Sequence, residues 1–198
     1  IFTDGHDKFE NLKEDIRNAK EHIHIQYYII RKDELFESIC ELLIEKVKEG
    51  VEVRILYDGM GCRKVAKSYW RYLKKHGIQL AEFFPPLLGA LHLRLNYRNH
   101  RKIVVIDGTI GWVGGFNIAR EYLGLKKRFG YWRDTHLRLM GSSVLSLQMR
   151  FILDWNYAAN ENLFSKGIYL NPEVAKHKGN KEIQIISSGP DSRIQNIR

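Results

Sequence analysis

The sequence has 198 residues, 44% hydrophobic and 28% charged, the balance of a soluble globular protein with room for one sizeable core. Its two cysteines, Cys40 and Cys62, exclude a disulfide framework and make a reduced compartment the default. A net charge of +9 points to an anionic partner, whether nucleic acid, anionic lipid or a phosphorylated substrate, and does not choose among them.

In chain order, Phe9, Leu12, Ile16 and Ala19 recur at helical spacing and predict an amphipathic helix over 7–20. Residues 22–30 alternate and then become wholly apolar, the pattern of a strand. His22 and His24 share one face of it, but no third ligand follows at metal-binding spacing, so the pair reads as structural. A helix over 33–48 turns Leu35, Ile39, Leu42, Leu43 and Val47 inward, with Asp33 as its N-cap and Gly50 at its end. A strand over 51–57 leads into Asp58-Gly59-Met60-Gly61. This loop lacks the Lys-Ser/Thr of a phosphate-binding loop and the three-glycine spacing of a dinucleotide site, so it reads as a tight turn. A helix over 65–76 and a strand over 78–84 follow. The alternation predicts an α/β fold: a mixed, largely parallel sheet flanked by helices on both faces.

The segment 83–91 is almost wholly apolar yet holds Pro85 and Pro86, which forbid a central strand or continuous helix. It reads either as a loop packed on the core or as an apolar lip suited to acyl chains or a bilayer surface. Arg94, Arg98, Arg101 and Lys102 then form a basic approach to His100. The β-branched run 103–106 is a buried strand, Asp107-Gly108 a tight turn, and 110–113 the returning strand. Beyond them, 118–123 reads as a short helix, 126–128 as a basic surface turn, 131–141 as an alternating strand, and 143–159 as a long helix capped by Ser142 or Ser143. Residues 160–181 are polar and irregular and read as a linker; 182–187 reads as a strand and 187–191 as a turn.

Polar groups gather around the hairpin. On a strand, His100 and Lys102 would point the same way, placing a neutral nucleophile beside a fixed cation. Gly114 and Gly115 would bring bare backbone close to a phosphate, with Asn117 just beyond. Such a set suits phosphoryl transfer through a covalent histidine. His100 attacks a phosphodiester, and Lys102 and Asn117 neutralise the oxygens. Gly114, Gly115, Arg98 and Arg101 would bind substrate, Asp107 would orient its neighbours, and Asp134 would hold the second imidazole nitrogen. No metal or cofactor is called for, because lysine and backbone donors carry the electrostatics.

The spacing His-x-Lys-x4-Asp, followed by Gly-Gly-x-Asn, resembles the phospholipase D superfamily. Gln26 to Glu34, Tyr57 to Gly61, Asn96 to Lys102 and Tyr131 to His136 look like its bacterial cardiolipin synthase branch, and Ser187 to Asp191 resembles the opening of that branch's second half. The resemblance implies a membrane anchor, two such domains, and the joining of two phosphatidylglycerol molecules into cardiolipin and glycerol. The implied partners are anionic phospholipid, a membrane surface, and a second motif-bearing domain of a parent chain or a homodimer; nucleic acid is not among them. The implied location is the bacterial cell membrane, with the site on the cytoplasmic side and this fragment soluble.

This sequence has one copy of the motif, no apolar run of spanning length, and Ile1 rather than Met at its start. The expectation is therefore a fragment: a catalytic domain over 1–159, a linker over 160–181, and the start of a second domain over 182–198. Two rivals stay open, a dimeric single-motif phosphodiesterase or endonuclease and a binding domain that keeps only the scaffold.

Overall fold

A computed structural model describes residues 1–84, 98–125, 130–171, 174, 179 and 181–188. Six strands form one sheet: β1 (His22–Tyr27), β2 (Glu52–Asp58), β3 (Gln79–Phe83), β4 (Ile103–Ile106), β5 (Ile110–Gly114) and β6 (His136–Met140), in the order β3-β2-β1-β4-β5-β6. Helices α1 (Gly5–Asn18), α2 (Glu34–Lys48) and α3 (Lys67–Lys75) pack on one face, and α4 (Ser143–Ala159) on the other.

Two-sided cover explains the uninterrupted apolar run of β4. Val104 and Ile106 join Phe9, Leu12, Phe36 and Leu43 on one face; Ile103 and Val105 join Leu139, Val144 and Leu147 on the other. Asp33 caps α2, its carboxylate accepting from the Phe36 amide at 3.3 Å. The sheet is mixed, as expected, but the parallel share is smaller than expected. β1 pairs in parallel with β2 and β2 with β3, whereas β1–β4, β4–β5 and β5–β6 are antiparallel. The Asp107-Gly108 turn makes β4 and β5 antiparallel. Both residues adopt positive φ (52° and 63°), so the chain doubles back without a crossover.

Other differences fall where strands run out of partners. β1 stops at Tyr27, because the chain beyond it turns to 117–118: the Arg31 amide donates to the Ile118 carbonyl at 2.9 Å and the Ile118 amide to the Ile29 carbonyl at 3.2 Å. β6 begins at His136 rather than 131, because its partner β5 ends at Gly114. Residues 120–123 form a single 3-10 turn. Within 160–181, residues 163–166 form a 3-10 turn, and Leu163, Tyr169 and Val174 are buried against the α4 side of the sheet. Residues 182–187 form no strand; Ile185 packs partly on the core and Ile183 and Ile186 are exposed. Most of the apolar segment 83–91, Arg94, the basic turn 126–128 and the end of the turn 187–191 lie outside the described residues.

Candidate active site

The topology carries the motif residues to one end of the sheet. β4 and β6 run against β1, so their beginnings lie beside the ends of β1, β2 and β5. Tyr28, Asp58, the segment 98–102, Gly114 to Asn117 and Asp134 therefore meet at that end.

His100 is exposed, and its imidazole stacks on the Tyr28 ring with centroids 4.0 Å apart. Lys102 is partly buried; its ammonium donates to the His100 carbonyl at 2.6 Å and lies 5.7 Å from the Tyr28 ring centre. Burial, and then the Lys102 charge, push the His100 pKa below its ordinary value, with Asp58 opposing. A lowered imidazole pKa keeps His100 neutral near pH 7, the state a nucleophile requires. Burial also lowers Lys102, with the Asp134 carboxylate opposing.

Asp134 sits on Gly115. An ideal Cβ at position 115 would overlap the Asp134 carboxylate, so glycine here makes room for that side chain as well as for any substrate. Gly114 is equally confined, against Thr135 and His136. Asp134 accepts from the Thr135 amide at 2.7 Å. Among the described residues no hydrogen bond joins it to His100, so the expected imidazole partner acts here on Lys102 instead. Asn117 is buried and engaged at both ends: Oδ1 accepts from the Ile29 amide at 3.0 Å and Nδ2 donates to the Tyr122 hydroxyl at 2.7 Å. It braces the backbone beside Tyr28 and thereby the shelf under His100.

Asp107 lies apart from the other motif residues. Its carboxylate accepts from the amides of Lys20, Glu21 and His22 at 2.8–2.9 Å, at the opposite end of β4. Five residues of strand put it roughly 16 Å from Lys102. Its role is to anchor the start of β1. The arginines are also committed. Arg98 donates to the Phe84 carbonyl at 3.2 Å, and Arg101 donates to Asp154 at 3.3 Å and to the Ser187 hydroxyl at 2.9 Å. Lys102 is the cation placed against His100.

Three residues escaped the sequence reading. Tyr28 looked like part of an apolar strand. Asp154, buried on α4, accepts from Gln26 at 2.6 Å, from Asn99 at 3.0 Å and from Arg150, and so fixes the segment that presents His100. An acid seven residues beyond Leu147, on the inward helical stripe, was the available signal. Asp58 is buried; Oδ1 accepts from Met60 and Gly61 at 2.9 and 2.8 Å, while Oδ2 has no hydrogen bond among the described residues. Burial raises its pKa. His22 and His24 are bridged by Gln148 at 3.1 and 2.9 Å, and among the described residues no group of three donors could hold a metal. The cysteine thiols are free and buried, with pKa values pushed up to about 12.

A neutral imidazole, a cation beside it and glycine-lined backbone can together attack and stabilise a phosphodiester. The family "Cardiolipin synthase, PLD-like domain" matches residues 12–128. The chain is 52% identical over all 198 residues to a cardiolipin synthase of Oceanobacillus iheyensis and 50% identical to the major cardiolipin synthase ClsA of Bacillus subtilis. It spans 40% and 41% of the length of those two relatives. Among solved structures, NucT from Helicobacter pylori superposes with a TM-score of 0.60 at 19% identity, covering 77% of this chain and 90% of that one. A phosphatidylserine synthase from Haemophilus influenzae gives 0.59 at 18%, covering 85% of this chain and 41% of that one. The structural likenesses establish the fold, the sequence likenesses establish kinship, and the chain belongs to the cardiolipin synthase family of phospholipase D-like proteins.

Proposed function

We propose that this chain is one catalytic domain of a cardiolipin synthase. An imidazole nitrogen of His100 attacks the phosphorus of one phosphatidylglycerol, the bond to the headgroup glycerol breaks, and glycerol leaves with a proton. The headgroup hydroxyl of a second phosphatidylglycerol then attacks the phosphohistidine and loses its proton; cardiolipin forms and His100 is regenerated. Lys102 neutralises the non-bridging oxygens, and Asp134 sets the electrostatics of Lys102.

The observation that carries the reading is His100 itself: accessible, neutral, stacked on Tyr28 and next to Lys102. Each step needs an acid or base for the glycerol oxygen. His22 and His24 belong to a buried network, and His136 is buried behind Gly114, so none of these three supplies it. The complementary group would come from a second domain, in the parent chain or in a partner copy. The setting is the cytoplasmic face of a bacterial membrane. Among the described residues no helix is long and apolar enough to cross one.

The test is covalent trapping. Phosphatidylglycerol labelled at phosphorus and dispersed in detergent should leave an acid-labile, alkali-stable label on the protein, absent from His100→Ala. Failure to label the intact protein, together with cleavage of a DNA duplex, would sink the lipid reading in favour of a phosphodiesterase.

A further inference from the structure

The surface beyond Asp58 is distinctive in charge. Between Gly59 and Ala81 the sequence carries Arg63, Lys64, Lys67, Arg71, Lys74 and Lys75 and no acidic residue, so this stretch holds six of the net nine positive charges. All six are exposed. Lys67 lies near Glu82; the other five make no ion pair among the described residues. Several cations elsewhere face acids: Lys13 with Glu10, Arg17 with Glu14, Lys32 with Glu37 and Arg120 with Glu34.

On α3, Lys67, Arg71, Lys74 and Lys75 stand at i, i+4, i+7 and i+8, one stripe about 100° wide. Trp70 and Leu73 are buried against the core, which fixes the stripe outward. Tyr72, 46% exposed, borders the stripe and shares a shallow concavity of about 400 Å³ with Lys32, Ala66, Ser68 and Tyr69. Tyrosine at such an edge suits the boundary between headgroups and water. The loop before the stripe reaches the active end, and α3 runs from there toward the start of β3. Gly61 lies against the Tyr28 carbonyl, the Cys62 thiol donates to the same carbonyl at 3.5 Å, and Tyr28 carries His100.

We propose that the exposed face of α3 and the loop before it dock this domain on an anionic phospholipid bilayer, so that the sheet end bearing His100 lies at the headgroup layer. The choice of a bilayer rests on the phospholipid reading above and on the surface itself. Three of the stripe's four cations, Lys67, Lys74 and Lys75, are point-like ammonium groups on a convex helix that has no Asn or Gln to read base edges. Such a surface matches a diffuse negative layer.

Vesicle sedimentation of the purified protein tests this. Binding should require phosphatidylglycerol in phosphatidylcholine vesicles and should weaken with salt. Each Lys or Arg near an anionic surface multiplies partitioning by about five, so R71E/K74E/K75E should lower it by at least about a hundredfold. The milder triple change to Gln should fall between, with circular dichroism confirming the fold of both. An equal charge change on α1 and the residues just after it, K13E/R17E/K20E, should cost much less. The proposal is overturned if the intact protein ignores phosphatidylglycerol, if the α3 variants bind unchanged, or if the α1 variant loses as much. Selective binding of a DNA duplex in place of vesicles, abolished by the α3 changes, overturns it in favour of nucleic acid. His100 labelling in detergent, where no bilayer exists, should survive in the α3 variants. An unaltered protein that labels at His100 but ignores phosphatidylglycerol vesicles rejects only the docking surface, whereas absent labelling in the unaltered protein rejects only the proposed function.

Discussion

The two ends of the β4–β5 hairpin carry one sequence motif and serve opposite purposes. At the turn, Asp107 accepts three backbone amides and its own amide donates to the His22 carbonyl at 2.9 Å. That end is saturated and ties the antiparallel half of the sheet to the parallel half. At the open end, His100 is exposed, Lys102 is held by a carbonyl, and the buried Oδ2 of Asp58 has no hydrogen bond among the described residues. The four-residue strand between the ends fixes their separation. A short motif can therefore unite an exposed imidazole and a fold anchor that never meet, and spacing alone does not tell them apart.

The contrast can be broken most sharply at Gly115. Gly115→Ala would drive a methyl group into the Asp134 carboxylate and displace the charge that faces Lys102. His100 labelling should fall by about a hundredfold, in line with the loss of one positioned electrostatic group. A rate within twofold of the unaltered protein would mean that Asp134 has no part in the chemistry.

Asp107→Ala should do the reverse. Stability should drop by about 2 kcal/mol, less than three isolated charge-assisted hydrogen bonds would give, because the site is partly solvent-exposed. Labelling per folded molecule should hold. Asp107→Asn, which tolerates the positive φ and retains an acceptor, should recover part of the loss in urea denaturation. A rate defect in a fully folded Asp107 variant would return this residue to the active site.

His136 sharpens the boundary between fold and chemistry. Its ring nitrogens have no hydrogen-bond partners among the described residues, and burial followed by the charges of Lys8 and Lys102 depresses its pKa to about 2. Below its ordinary pKa of 6.5 the unfolded chain takes up a proton that the folded chain refuses, so stability falls as pH drops from 6.5 toward 2. The slope is about 1.4 kcal/mol per pH unit for this group. His136→Phe should flatten the pH dependence of the urea midpoint between pH 6 and 4 by about that amount; an unchanged slope would show that His136 can be protonated in the fold.

The smallest effect expected is a displacement along the pH axis. His100 must be neutral to attack, and burial and the Lys102 charge hold its pKa below the ordinary 6.5, so the acid limb of labelling should lie below that pH. Lys102→Met removes one of the causes and should move the acid limb upward while also slowing the reaction. A limb that stays fixed would assign it to another group.

Much of this was legible in advance. The amphipathic periods of α1, α2 and α4 and the β-branched run of β4 announced their elements, because burial on one or two faces leaves a period in the residues themselves. His100, Lys102, Gly115 and Asp134 were found from spacing and do meet at one end of the sheet. Tyr28, Asp58 and Asp154 were missed, since nothing local distinguishes a tyrosine that stacks on a nucleophile from one that fills a core. The stretch 160–181 looked detached because its apolar residues follow no regular period, yet Leu163, Tyr169 and Val174 are buried.

By itself, then, the sequence determined the helices, the β4–β5 hairpin with its turn, and the pairing of an imidazole with a cation two residues away, all of which depend on neighbours along the chain. Only the tertiary structure decided that the sheet is antiparallel on one side of β1, that Asp107 and His100 lie at opposite ends, and that Gly115 serves Asp134. It also decided that the cations of α3 form one exposed stripe beside the site. Those outcomes depend on which strand pairs with which and on what packs across the sheet, contacts that join residues as far apart as His22 and Tyr169, for which no local pattern exists.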